Sequence, residues 1–354
     1  MSRALMFTGC VNQPLGYAPS PSGKGIASFF VDPATGAAEP GPVYTGIVNP
    51  TFVTVSADSR FLAAISETED QPEGVLSVFA VNTMTAELTL LGQQSTRGPV
   101  ACHCAFDASG TMVATANYAG GTQPPGNAIT VHRLEGGVPT PSLSAITHSG
   151  SGPNGDRQER PHAHCVRWTP DSRYLAVVDL GLDCVRLYRA PDFALASETR
   201  LPAGSGPRHL VFHPHKPLAY VMAELQPAVT TLAYTSGHFE MLATHALDPC
   251  LNGGSGIVVA PGGTHLFVGD RGNEAVVRFA IDPVTGVATQ RSSTPSGGRI
   301  PRDLTFGANG KLFAVANVGS DLVQLFAHSS NGTLTLLSAV RTGTPTAVAF
   351  CAQS

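Results

Sequence analysis

RPHAHCVRWTPDSRYLAVVDLG, residues 160–181, holds one full unit of the pattern that decides the fold. A proline leads into the apolar run AHCVRW, the turn TPDS follows, and a second apolar run, YLAVVD, leads back. Runs this short, bounded by Pro, Asp and Ser, have the length of strands and not of helices. The turn joins them as an antiparallel hairpin.

The unit recurs along the whole chain. Its turn and second run appear as SADSRFLAAISE (56–67), DASGTMVATANY (107–118), TPDSRYLAVVDL (169–180), HPHKPLAYVMAE (213–224), APGGTHLFVGDR (260–271) and GANGKLFAVANV (307–318). Successive starts are 51, 62, 44, 47 and 47 residues apart. A further short run follows most copies, such as DCVRLYRA (183–190) or EAVVRFAI (274–281). Another precedes each copy, usually announced by proline: NPTFVTV, GPVACHCAF, RPHAHCVRW, GPRHLVF and IPRDLTF, with GSGIVVA lacking it. Turns such as VDPATG (31–36) and IDPVTG (281–286) supply the hairpin into a fourth strand. A period in the forties with several strands per repeat is the mark of a β-propeller. Six copies are complete. TPTAVAF (344–350), RALMFTG (3–9) and GIASFFVD (25–32) make a seventh from both chain ends, which removes exposed sheet edges. The expected fold is all-β: one seven-bladed β-propeller domain over residues 1–354, its last blade closed by N- and C-terminal strands.

Composition fits a well-buried, turn-rich chain. Gly 38 and Pro 28 accompany only 13% charged residues, and the formal net charge is −4. No basic stripe favours nucleic acid or an anionic membrane, and no apolar run is long enough to span a bilayer. Seven cysteines without paired spacing suit a reducing compartment, so a cytoplasmic protein, monomeric or weakly homo-oligomeric, is expected. Cys102-His103-Cys104 resembles a metal clip, but on a strand the two sulfurs face one way and the imidazole the other.

The innermost strands of a propeller line its channel. The residue after each opening proline reads Thr51, Val100, His162, Arg208, Ser255, Arg302 and Thr346 around the ring, Ser255 being aligned without a proline. The antiparallel second strands return to the same mouth, and their ends carry Glu67, Asn117, Asp179, Glu224, Arg271 and Asn317. Cations, imidazoles, carboxylates and amides from different blades therefore converge on one opening, where ligand sites of closed β architectures lie. Arg208 with Glu224 also reads as a structural ion pair. His162 and His164 open one inner strand, with His162 facing the funnel and His164 packed below it or hydrogen-bonded to it. No carboxylate–histidine set at ligand spacing accompanies them, so neither a metal nor another cofactor is expected.

These motifs resemble the propeller lactonase family, which includes bacterial 6-phosphogluconolactonases and fungal carboxy-muconate lactonising enzymes. The resemblance covers nearly the whole chain. It is carried by NPTFVTVSADSRFLAAISE, HCAFDASGTMVATANYAGG and above all RQERPHAHCVRWTPDSRYLAVVDLGLD (157–183). It implies hydrolysis of a small anionic lactone at the funnel mouth by a histidine, two arginines and a glutamate. Carried onto this sequence, the arginine of GPRH is Arg208, the glutamate of AEL is Glu224 and the arginine of DRG is Arg271. The histidine is His162 or His164, and Arg302 of IPRD is a second anion binder. Glu67, Asn117 and Asp179 complete the expected substrate-binding set.

In that scheme Arg208 stabilises the oxyanion and Glu224 orients or acts as base. His162 carries the proton, while Arg271 and Arg302 grip the substrate's charged group. A cycloisomerase closing a lactone from a muconate would use the same residues, and a non-catalytic interaction propeller is the reading from another class. Two departures stand out. HPHKP (213–217) replaces the usual Asp-containing turn, and AGGTQPPGNAI (119–129) with HSGSGPNGDRQE (148–159) adds Gly-rich loops expected to shape a lid.

Overall fold

The computed structural model describes residues 3–120, 126–248 and 253–352. Seven four-stranded antiparallel sheets form around one axis. In chain order, blade 1 covers residues 52–95, blade 2 101–146, blade 3 163–200, blade 4 207–246, blade 5 254–295 and blade 6 301–341. Blade 7 joins the C-terminal strand Pro345–Phe350 to Ala4–Cys10, Ile26–Val31 and Ala38–Tyr44, in that order from the axis outward. The closing register runs Met6↔Phe350 through Gly9↔Ala347. The all-β propeller expected from the repeat is the observed fold.

Local chemistry explains the repeated hairpin. In five copies the fourth turn residue is left-handed: Ser59 (φ 58°), Gly110 (67°), Ser172 (54°), Gly263 (70°) and Gly310 (67°). Each donates its N–H to the carbonyl three residues back, from Ser59 to Ser56 at 2.8 Å through Gly310 to Gly307 at 2.8 Å. HPHKP departs as the sequence suggested. There the His213 Nδ1 accepts the backbone N–H groups of His215 and Lys216, both at 3.0 Å, in place of a carboxylate. Blade faces bury the alternate residues of these strands between neighbours. Leu210, Val221 and Leu232 of blade 4, for example, pack with Val178 and Leu187 of blade 3. The second strand of each blade is the most deeply buried, and Tyr174–Asp179 is buried at all six positions.

Six of the seven inner strands carry an irregularity near their start, blade 1 being the exception. The pairing register shifts between Ala101 and His103, Ala163 and Cys165, Pro207 and His209, Gly254 and Ile257, and Pro301 and Asp303. Such bulges leave a residue outside the ladder and re-aim its side chain. The residues set free this way include Cys102, His164, Arg208, Ser255 and Arg302.

Candidate active site

Those bulged residues are the repeat-equivalents of one another. Each stands five positions before the first residue of its turn, as does Thr51 in blade 1. Eleven positions after that first turn residue stand Glu67, Tyr118, Leu180, Glu224, Arg271 and Val318. The polar members of these two rows meet at the mouth. The proline count therefore slipped in two blades: the ring positions are Cys102 and His164, and not Val100 and His162. Counting back from the turn would have found both.

Glu224 is the centre of the site and is 4% exposed. Three guanidiniums close on its carboxylate. Arg157 donates to Oε1 at 2.7 Å, while Arg208 Nε lies 3.0 Å and Arg271 Nη2 3.1 Å from Oε2. Burial alone would push this carboxyl up. The Arg271 and Arg208 charges outweigh burial, with His164 and the Arg157 hydrogen bond assisting, and hold it well below the usual carboxylate range. Arg208 is itself buried, and desolvation, with Arg302 and Arg271 nearby, draws it down to about 10. It is still charged at neutral pH.

Arg157 belongs to the loop HSGSGPNGDRQE, and its importance was not legible in the repeat. The turn hydrogen bonds from Arg157 N–H and Gln158 N–H to Asn154 O, at 3.2 and 2.7 Å, fold the loop so that Arg157 faces the mouth. The loop expected as a lid thus supplies a ligand of Glu224. Residues 121–125 of the other Gly/Pro-rich insertion lie outside the described residues. Tyr118 is a second residue that the sequence reading missed. Its hydroxyl accepts from Arg157 at 3.2 Å, and its ring lies 5.5 Å, edge-on, from that of His164.

The two histidines occupy different environments. His162 is a support: its N–H donates to Asp179 Oδ1 at 2.8 Å, and its Nδ1 lies 2.7 Å from Tyr118 O. Its Nε2 lies 3.3 Å from Glu159, and its ring stacks on Tyr118 at 4.3 Å. His164 is the histidine of the mouth ring, with its Nδ1 buried and making no hydrogen bond. Burial, reinforced by the Arg208 charge, holds its pKa well below the ordinary imidazole value, whereas Glu224 favours the charged form. Beneath it the His209 Nε2 accepts from Arg208 Nη1 at 3.2 Å, and the His209 ring sits 5.4 Å from His164.

Arg302 and Glu67 stand on the other side of the mouth, in blades 6 and 1. Thr51 Oγ1 donates to Glu67 Oε2 at 2.6 Å, and the hydroxyl of Tyr17 donates to the same oxygen at 3.2 Å. The Arg302 guanidinium lies 4.0 Å from the centre of the Tyr17 ring. Asn117 and Asp179, expected among the substrate-binding residues, do not join either group. They stand one residue earlier on their strands than Tyr118 and Leu180, and one residue is enough to point a side chain to the opposite face. The Asn117 amide donates to Thr96 O and Asn127 O, at 2.8 and 3.0 Å. Asp179 is wholly buried and takes His162 N–H, Leu182 N–H and, at 2.6 Å, the His148 ring. Among the described residues no group of three His, Cys, Asp or Glu side chains is arranged to hold a metal ion.

A closed ring of seven blades with an arginine-rich mouth defines the class. The family described as lactonase, 7-bladed β-propeller, matches residues 10–350, and the chain belongs to that family. It is 32% identical over 344 residues to 6-phosphogluconolactonase of Bacillus subtilis, covering 93% of this chain and 95% of that protein. A 6-phosphogluconolactonase of Formosa agariphila is 26% identical over 316 residues, 86% of this chain and 88% of that one. Among solved structures, the periplasmic gluconolactonase PpgL of Pseudomonas aeruginosa superposes with a TM-score of 0.89 at 27% identity, over the full length of both chains. No helix among the described residues is long and apolar enough to cross a membrane.

Proposed function

We propose that this protein hydrolyses the lactone of an anionic sugar acid, of the 6-phosphogluconolactone type, at the mouth built around Glu224. The observation that carries the reading is the meeting of three guanidiniums and a neutral imidazole at one buried carboxylate. The names of the relatives point to the same substrate class.

Glu224 is the positioning residue. Held ionised by three arginines, it is too weak a base for proton abstraction and instead fixes the direction of each guanidinium. The His164 imidazole, neutral at physiological pH, accepts a proton as a water oxygen attacks the lactone carbonyl carbon. The carbonyl oxygen gains negative charge against Arg208, whose planar fork is already oriented and costs little reorganisation. Collapse of the tetrahedral species breaks the ring carbon–oxygen bond, and the imidazolium returns its proton to the departing alkoxide. Arg271 and Arg157, both partly exposed, take the substrate's anionic group. No cofactor enters this scheme. His162 is assigned a supporting role, stacked on Tyr118.

The free cysteines Cys10, Cys102, Cys104, Cys165, Cys184 and Cys351 are buried. Buried free thiols suit a reducing compartment, and a cytoplasmic location belongs to this reading, together with a small lactone as partner, neither nucleic acid nor membrane, and a monomer or weak homo-oligomer. The test is proton release from 6-phosphogluconolactone and glucono-δ-lactone, with spontaneous hydrolysis subtracted. Arg208→Ala is expected to lower kcat at least about a hundredfold, the scale of losing one oxyanion donor. An Arg208→Ala protein with full activity overturns the assignment.

A further inference from the structure

The mouth has two halves of different chemical character. On the side of blades 4 and 5, Arg157, Arg208 and Arg271 face the single carboxylate of Glu224, so cationic charge is in excess. On the side of blades 6, 7 and 1, Arg302 is balanced by Glu67, and the groups around them are the hydroxyls of Thr51 and Tyr17. Glu67 is 5% exposed and lies beneath Tyr17, which is 36% exposed.

Tyr17 is no loose surface residue. It sits on the strap between the strands Ala4–Cys10 and Ile26–Val31, and that strap is fastened along its length. Leu15 and Ala18 exchange backbone hydrogen bonds at 3.2 and 2.8 Å, while Val11, Leu15 and Ala18 share a small buried cluster. Asn12 and Asn49 hydrogen-bond reciprocally, each side-chain oxygen accepting the other's backbone N–H at 2.7–2.9 Å. Gly16 N–H donates to the carboxylate of Glu69 at 3.1 Å. The strap therefore presents one phenol to the mouth at a fixed place. With its proton committed to Glu67, the phenol oxygen keeps lone-pair capacity to accept from an incoming hydroxyl, and Arg302 anchors one face of its ring.

We propose that Tyr17, Glu67 and Thr51 form a second subsite, one that receives the uncharged, hydroxyl-bearing part of the substrate. The arginines of the opposite half take its charge and its reacting carbonyl. The reasoning is electrostatic. A buried carboxylate rimmed by hydroxyls would repel a second anionic group, yet it offers acceptors to alcohol protons. A substrate charged at one end and polyhydroxylated at the other satisfies both halves, whereas an unsubstituted lactone leaves the second half's polar groups unmatched. This inference rests on the lactonase reading above and adds to it a basis for selecting sugar lactones.

The experiment compares kcat/KM for glucono-δ-lactone with that for δ-valerolactone, which has the same ring and no hydroxyls. Tyr17→Phe removes only the phenol oxygen and keeps the ring over Arg302, and Thr51→Val is its isosteric companion. The ratio of the two kcat/KM values is expected to fall about tenfold in Tyr17→Phe, mainly through KM for the sugar lactone, as loss of a substrate hydrogen bond predicts. Equal losses on both lactones, the outcome of a merely structural role, overturn the proposal, and so does an unchanged ratio. If the wild-type protein hydrolyses neither, 6-phosphogluconolactone is assayed as well, and the lactonase reading fails if none of the three is hydrolysed. The subsite is then read by calorimetric binding of gluconate: about tenfold weaker binding to Tyr17→Phe supports it, and equal binding overturns it.

Discussion

Glu224 shows how one side chain can be both a deeply buried charge and the reason a site holds its shape. Its three arginine contacts offset the cost of bringing the carboxylate out of water, and neutralising it would leave three guanidiniums partly uncompensated. Glu224→Gln is expected to cost about 3 kcal/mol of stability at neutral pH, measured by chemical denaturation. The sign of the pH dependence follows from the depressed pKa. The stabilisation is fully present above the ordinary carboxylate value near 4 and is lost as pH falls toward the folded-state value. The wild-type and Glu224→Gln stabilities should therefore converge on acidification below about pH 4. A gap that stays constant into that range would show that Glu224 is not ionised by its arginines.

At the scale of elements, the bulge at the start of six of the seven inner strands is the device that turns a repeated hairpin into a site. In each of those blades it takes one residue out of the ladder and aims it at the axis, whatever that residue is. Evolution of a mouth then needs only substitution at equivalent positions: Thr51, Cys102, His164, Arg208, Ser255 and Arg302. The closing blade carries a second device. Pro345–Phe350 pairs with Ala4–Cys10, and without it that strand would be an open edge. A chain ended at Gly343 is expected to lose its cooperative thermal transition and to self-associate, seen by melting and size-exclusion chromatography. A truncated chain that melts as sharply as the full one would show that the ring does not depend on this closure.

For the whole molecule, what matters is where charge is placed, since the net charge of −4 is unremarkable. Four guanidiniums, of Arg157, Arg208, Arg271 and Arg302, meet two carboxylates, of Glu67 and Glu224, at one end of the channel. The local balance is thus two positive charges inside a negative protein. Such a focused field attracts an anionic substrate over roughly one Debye length, about 8 Å at physiological salt. Raising salt from about 0.02 to 0.5 M should lower kcat/KM several-fold for 6-phosphogluconolactone and move glucono-δ-lactone less than about twofold. Equal salt responses would mean that the arginines do not read the remote charge.

The sequence by itself determined the propeller, because period, turn chemistry and strand length are local properties written into every copy. It also marked Arg208, Glu224, Arg271, Arg302 and Glu67, which stand at equivalent places relative to a turn or a proline. What it left ambiguous is register. Pro161 lies two residues farther from its bulge than Pro207 does, so counting from proline selected His162 where the fold presents His164. A one-residue slip likewise brought Asn117 and Asp179 into a row that belongs to Tyr118 and Leu180. Only the tertiary structure decided which face each side chain takes, and only it carried Arg157 and Tyr17 to the mouth. Those two residues ride on connections outside the repeat, whose paths are set by contacts with distant blades and not by any local period.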